Sequence, residues 1–133
     1  QKDLKLIDCT ERALVAGIDA ARAGNRMGDI GAAIAQVAHT DGYSVNTQFG
    51  GHGVGRTMHG EPHVPNDARA GRGLKLQPGL VIAIEPWFMH DTDEIYTDPD
   101  GWTLRSADGC RGAHSEHTIA ITRDEPIVFT ARN

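Results

Sequence analysis

A run of five apolar residues at positions 80–84 is the feature that most limits what this chain can fold into. A Pro-Gly pair precedes the run and a proline follows it, a pattern typical of a β-strand covered on both faces. The strand places Glu85 at its end. Because Glu85 shares the alternation face of Val81 and Ala83, its carboxylate would be costly to bury unless it pairs with a partner or binds a cation.

Two amphipathic helices are predicted before this strand. Apolar residues recur at helical spacing from Leu4 and predict a first helix that ends near Gly24. Asp29 is the predicted N-cap of a second helix, which ends at Asp41-Gly42. A chain of 133 residues has room for one domain with one core.

Shorter strands and loops account for the rest of the chain. Alternation of apolar and polar residues over 43–49 predicts a strand that leads directly into His52. Proline, glycine, asparagine and arginine dominate 62–79 and predict a surface loop. Further strands are predicted at 94–96, 102–104, 116–122 and 126–130, with a turn at 98–101.

Composition argues against several functions. No apolar run approaches the roughly 20 residues of a membrane span, so no membrane association is expected. The net charge of -5 offers no broad basic surface, so nucleic acid is not an expected partner. Cys9 and Cys110 lack the spacing of a disulfide framework and indicate free thiols in a reducing compartment, which favours the cytoplasm. The chain starts at Gln1 in helix-like sequence, which indicates a piece of a longer protein.

His52 lies among four glycines between positions 50 and 55. Glycine loses more conformational entropy on folding than any other residue. A cluster of glycines therefore predicts a place where the backbone approaches a ligand closely or takes unusual dihedral angles. His52, His59, Glu85 and Glu116 together offer imidazole and carboxylate groups without a thiolate, which suits a divalent ion of the borderline or hard kind. Glu116 is the weakest candidate, because it lies on the more polar face of its predicted strand. A hydrolytic metal centre is the first hypothesis.

A phosphate-binding loop is the competing interpretation of the same glycines. The segment from Gly50 to Thr57 nearly matches the pattern G-x-x-x-x-G-K-[ST]. Arg56 replaces the lysine, and Pro62 is too close for a long helix to start after Thr57 and direct its dipole at a phosphate. The two-glycine dinucleotide pattern also fails at Arg56. Metal binding is therefore favoured.

Taken together, these stretches resemble the methionine aminopeptidases, metal-dependent enzymes that remove the initiator methionine from new proteins. The resemblance rests on Gly-His-Gly-Val-Gly at 51–55 with a second histidine seven residues after the first, Ile-Glu-Pro at 84–86, Gly-Trp-Thr at 101–103 and Glu-His-Thr at 116–118. It implies the α+β pita-bread fold, with a curved antiparallel sheet backed by helices. Residues 1–133 would be the second, C-terminal half of that catalytic domain.

The resemblance also implies roles for five residues. His52, Glu85 and Glu116 would be metal ligands of a dinuclear site, with Glu116 bridging the ions. Glu85 and His59 would be catalytic: Glu85 takes the proton of the attacking water, and His59 hydrogen-bonds the substrate peptide. Trp102 would line or cover the methionine pocket. The implied cofactors are two divalent ions, drawn from Co, Mn, Fe and Zn, and the implied substrates are N-terminal Met peptides or nascent chains.

The chain departs from the family pattern in several places. Two aspartate ligands and a substrate-binding histidine would lie upstream of Gln1, since Asp3 and Asp8 fall in the first helix. Trp87 stands where a smaller residue is common, and His114 stands where glutamine is common. We therefore expect the chain alone to turn over little or no substrate. We also expect its exposed sheet edge and apolar face to promote self-association unless the missing N-terminal half is supplied.

Two other functions remain open on the sequence. One is a non-catalytic pita-bread module that binds peptides or proteins, and the other is a prolidase-type or creatinase-type peptidase. The joint presence of His52, His59, Glu85 and Glu116 argues against the first, because a binding module has no physical reason to keep buried carboxylates. The segment around His52 looks more like the methionine aminopeptidases than like the second.

Overall fold

The structure is a computed structural model that describes residues 1–132. Its helices are α1 (Lys2–Ala20) and α2 (Met27–Asp41). Its strands are β1 (Ser44–Val45), β2 (Gly51–Gly53), β3 (Gly60–Val64), β4 (Val81–Ile84), β5 (Trp87–Met89), β6 (Ile95–Thr97), β7 (Leu104–Ser106), β8 (Gly112–His114), β9 (His117–Ala120) and β10 (Ile127–Val128). Among the described residues, neither helix combines the length and the hydrophobicity needed to cross a bilayer.

The first predicted helix is confirmed, but it ends earlier than expected. The prediction placed its end near Gly24, whereas α1 stops at Ala20. Gly24 lies in the following turn with a φ of +94°, and its backbone N–H donates to the carbonyl of Leu76 at 3.0 Å. That left-handed conformation favours glycine, so Gly24 marks the turn after the helix rather than the helix end.

The second predicted helix is also confirmed, but its N-cap is Arg26 and not Asp29. Asp29 lies in the first turn of α2, where its Oδ2 accepts a hydrogen bond from the backbone N–H of Arg26 at 2.7 Å. Its Oδ1 accepts a second hydrogen bond, from the backbone N–H of Gly71 at 2.7 Å. These hydrogen bonds lower the pKa of Asp29, and the first of them caps the N-terminus of α2. Gly42 ends the helix in a left-handed conformation, as predicted.

Both helices cover the sheets. Helix α1 contacts β4, β5 and β8, helix α2 contacts β1 and β3, and the two helices contact each other. Gly17 permits the close helix packing, because a Cβ atom there would lie 3.0 Å from Cδ1 of Ile34. The predicted arrangement of antiparallel strands backed by two helices is confirmed.

The larger sheet has five antiparallel strands in the order β10-β9-β4-β2-β3. Strand β4 lies at its centre and confirms the strand predicted at 80–84, starting one residue later. Ile82 pairs with Ile119 of β9, while Ala83 pairs with His52 of β2. Ile82 is fully buried, as expected for an apolar strand between two layers. The strand that ends before Glu85 is therefore hydrogen-bonded to the strand that carries His52.

A second sheet has the order β1-β5-β8, and β6 and β7 form a separate antiparallel pair. Strands β6, β7, β9 and β10 were predicted, and their bounds differ from the prediction by one or two residues. Strands β2, β3, β5 and β8 were not predicted. The loop expected at 62–79 is wrong in its first residues, since β3 extends to Val64 and pairs with β2. Pro62 is tolerated there because β3 is an edge strand of this sheet.

The strand predicted at 43–49 is wrong beyond Val45, where β1 ends. Asn46 is fully buried and its side chain binds backbone groups. Its Nδ2 donates to the carbonyl of Asp93 at 2.9 Å, and its Oδ1 accepts from the backbone N–H of Phe49 at 3.2 Å. Because an asparagine side chain can replace a strand partner in this way, the chain turns despite its alternating pattern.

Candidate metal centre

His52 and Glu85 meet because β2 and β4 are paired. His52 lies directly opposite Ala83, and Glu85 is two residues beyond Ala83 on the same face. Nε2 of His52 lies 3.1 Å from Oε1 of Glu85. Their side chains are only 15% and 18% exposed. The structure therefore brings these two predicted ligands together in a mostly buried position.

Gly51 and Gly53 allow this approach by removing side chains between strands. A Cβ atom on Gly51 would lie 2.0 Å from the carbonyl oxygen of Ala83, and one on Gly53 would lie 1.9 Å from that of Glu61. Neither glycine has a positive φ. Unusual dihedral angles are therefore not found at these two glycines, and their missing side chains make room for the backbones of β4 and β3.

The hydrogen bonding of His52 determines which of its nitrogens can bind a cation. Nδ1 lies 2.9 Å from the carbonyl oxygen of Gly53, which can only accept, so Nδ1 carries the hydrogen of this bond. A neutral imidazole then has its lone pair on Nε2, facing the Glu85 carboxylate. Two acceptors in contact need a proton or a metal ion between them, and a backbone carbonyl on the other nitrogen is a common companion of metal-binding histidines. The pair therefore fits a metal ion.

Glu116 and His114 extend the group around Glu85. One potential ligand atom from each of Glu85, His114 and Glu116 lies within 4.8 Å of the other two. Nε2 of His114 lies 3.3 Å from Oε2 of Glu85, and this hydrogen bond raises the pKa of His114. Glu116 is exposed. No role was predicted for His114, although its position two residues before Glu116 could have indicated one.

His59 is exposed in the loop between β2 and β3. Its ring centroid lies 4.4 Å from that of His52. This predicted catalytic residue therefore lies beside the predicted ligand pair, with its ring accessible from solvent.

Trp102 is 88% exposed in the turn between β6 and β7. It is not among the residues that line the cavity next to Glu85. That cavity has a volume of about 320 Å³ and is lined by Phe49, Glu85, Trp87, Leu104 and His114. Its walls are mostly apolar, with one carboxylate and one imidazole, so it suits an apolar side chain attached to a polar group. Phe49 and Trp87 form the aromatic wall of this cavity, and the predicted role of Trp102 stays a prediction.

Comparison with known proteins gives close relatives. The sequence profile of metallopeptidase family M24 matches residues 1–123. A methionine aminopeptidase of Aquifex aeolicus (strain VF5) is 43% identical over 128 residues, which make up 95% of this chain and 50% of the relative. The crystal structure of methionine aminopeptidase from Rickettsia prowazekii superposes with a TM-score of 0.95 at 37% identity, covering 98% of this chain and 53% of that one.

A prolidase from Pyrococcus furiosus is a more distant structural neighbour. Its TM-score is 0.75 at 20% identity, covering 100% of this chain and 34% of its own. This likeness shows the fold alone, and together with the closer structures it confirms the predicted pita-bread architecture. The chain spans about half the length of the curated relatives that it matches.

Proposed function

The chain belongs to metallopeptidase family M24, and from this membership we propose that it is the C-terminal half of a methionine aminopeptidase. The observation that carries the proposal is the contact of His52 with Glu85, at 3.1 Å and mostly buried. One relative named a methionine aminopeptidase is 44% identical to the chain over 126 residues, whereas the prolidase neighbour at 20% identity shares only the fold. This difference favours methionine aminopeptidase over the prolidase-type alternative.

His52, Glu85 and Glu116 are the proposed ligands of two divalent ions, drawn from Co, Mn, Fe and Zn. When bound, such ions polarise the scissile carbonyl and lower the pKa of the attacking water. The Glu85 carboxylate accepts the proton that this water loses. His59, whose ring lies next to that of His52, donates a hydrogen bond to the substrate carbonyl oxygen as negative charge develops there.

The cavity beside Glu85 is the proposed pocket for the first side chain of the substrate. Phe49, Trp87 and Leu104 provide apolar walls that suit the methionine side chain of an N-terminal Met peptide or a nascent chain. Trp102 stays a proposed pocket residue, and it would act by covering the bound substrate from its exposed turn. The two free cysteines support a reducing compartment, and the cytoplasm is the proposed location.

The missing half of the fold is the proposed partner of the chain. Leu4 and Val15 of α1 are 69% and 59% exposed, and Phe129 after β10 is 60% exposed. Such exposed apolar side chains favour contact with an upstream half of the domain or, without it, with a second copy of this chain. Sedimentation velocity of the chain at several concentrations tests this association, and a strictly monomeric chain would contradict it.

Methionine release from a Met-Ala peptide tests the function. The chain is assayed with Co²⁺ or Mn²⁺, alone and after co-expression with the upstream half of a relative. We expect turnover only in the combined sample, and we expect a chelator or the variant Glu85→Gln to abolish it. Glu94→Gln, which changes an exposed carboxylate, is the matched control and should keep activity.

One result would contradict the proposed function, and another would contradict the expected need for an upstream half. A combined sample that is folded and metal-loaded but releases no methionine would argue against an aminopeptidase. Turnover by the chain alone would instead show that the ligands of this half suffice.

A further inference from the structure

The Glu85 carboxylate faces a different imidazole with each of its two oxygens. Oε1 lies 3.1 Å from Nε2 of His52, and Oε2 lies 3.3 Å from Nε2 of His114. The first contact belongs to the proposed metal centre, while the second has no role in it. We infer that His114 is also a metal ligand, which gives an ion on its side of Glu85 a nitrogen ligand in addition to carboxylate oxygens.

The separations agree with coordination of a common ion. Two ligand atoms that bind one ion at about 2.1 Å and at a right angle lie about 3.0 Å apart. The distance from Glu85 to His114 is close to this value. Glu116 completes the set, since a ligand atom of each of the three residues lies within 4.8 Å of the other two. Glu116 is exposed, so its side chain can rotate to close the remaining distance.

The backbone holds these ligands close to one another. His114 pairs with Trp87 across β8 and β5. Ser115, which follows His114, donates its backbone N–H to the carbonyl of Pro86 at 3.2 Å, and Pro86 follows Glu85. Glu116 follows immediately in the chain. Ligands carried by hydrogen-bonded strands are positioned before an ion arrives, and this lowers the ordering cost of binding.

A hydrogen-bonding role for His114 is the alternative, in which its ring N–H only orients the Glu85 carboxylate. Glutamine would serve that role, because its amide N–H also donates to a carboxylate. Glutamine is a poor substitute for an imidazole ligand of a transition-metal ion. The variant His114→Gln therefore separates coordination from orientation. The inference rests on the proposed metal centre, but its test needs no peptidase activity.

Titration of the full chain with Co²⁺, followed by ¹H NMR, tests the inference. Imidazole N–H resonances shifted by the paramagnetic ion report the histidines that are bound. We expect two such resonances in the unmodified chain, from His52 and His114, and one in His114→Gln. We also expect His114→Gln and His114→Ala both to lose at least about tenfold in Co²⁺ affinity. His117→Gln is the matched control, because Nδ1 of His117 contacts Oγ1 of Thr130 at 2.8 Å.

Three results would count against His114 as a ligand. A single shifted resonance in the unmodified chain would overturn the inference without relying on any variant. Full Co²⁺ affinity in His114→Gln would assign His114 an orienting role and leave the centre at His52 intact. A folded chain that binds no Co²⁺ would overturn both this inference and the proposed metal centre.

Discussion

The side-chain amide of Asn66 donates from Nδ2 to the backbone carbonyl of Glu85 at 3.0 Å. Asn66 is 2% exposed and lies in the segment that follows β3. Glu85 comes directly after the last residue of β4, where the strand pairing no longer fixes its backbone. The buried amide therefore holds the main chain of Glu85 at the point from which its carboxylate extends towards His52.

We predict that Asn66→Ala lowers both stability and metal affinity. Loss of a buried hydrogen bond that leaves a carbonyl unsatisfied costs about 1–3 kcal/mol. Urea unfolding and Co²⁺ titration measure the two effects. Asn46→Ala, at a fully buried asparagine that binds Asp93 instead, is the control, and it should lose similar stability while keeping its Co²⁺ affinity. Equal losses of affinity in both variants would show that Asn66 has no particular effect on Glu85.

The glycines of β2 should differ sharply in their tolerance of alanine. Gly51→Ala and Gly53→Ala place a Cβ atom within 2.0 Å of a backbone carbonyl oxygen, so each should destabilise the fold by at least about 1–3 kcal/mol. Gly55→Ala meets nothing within 4 Å and should stay within about 0.5 kcal/mol of the unmodified chain. Thermal unfolding of the three variants tests this, and a stable Gly53→Ala would contradict the strand packing.

Asp29 should make the fold sensitive to acid. Its pKa is lowered by the backbone N–H groups of Arg26 and Gly71, so its contribution to stability is complete above its usual pKa. That contribution is lost as the pH falls through the lowered value of the folded state. The melting temperature should therefore fall less steeply below pH 4 in Asp29→Asn than in the unmodified chain. Asp124→Asn, at an exposed carboxylate, is the control and should follow the unmodified profile.

The two cysteines should react at very different rates. Burial, followed by the hydrogen bond and charge of Asp41, raises the pKa of Cys9 to about 12. Cys110 is partly exposed. At pH 8 the Cys110→Ser variant, which retains Cys9, should react with a thiol reagent about a thousandfold more slowly than Cys9→Ser. Comparable rates in the two variants would show that helix α1 opens readily or that the Cys9 thiol is not protected.

Local sequence patterns predicted the elements whose own residues carry a strong hydrophobic pattern. The two helices and β4 show apolar periodicity or a continuous apolar run, and they were predicted to within a few residues. The N-cap of α2 was misplaced because Asp29 caps from inside the helix, an arrangement that uses the same residue type at a different position. The strand expected to extend to Phe49 failed because Asn46 binds distant backbone groups, and no local pattern encodes them.

The chain by itself determined its family, its two helices, the strand β4 and the candidates His52, Glu85 and Glu116, because residue type and spacing carry that information. Only the tertiary structure decided which groups meet. It showed that Gly51 and Gly53 admit neighbouring strands, and that His114 reaches the free oxygen of Glu85. These relationships depend on the register of strands far apart in sequence. A shift of one residue would turn every side chain to the opposite face, and local patterns do not show which distant residues pair.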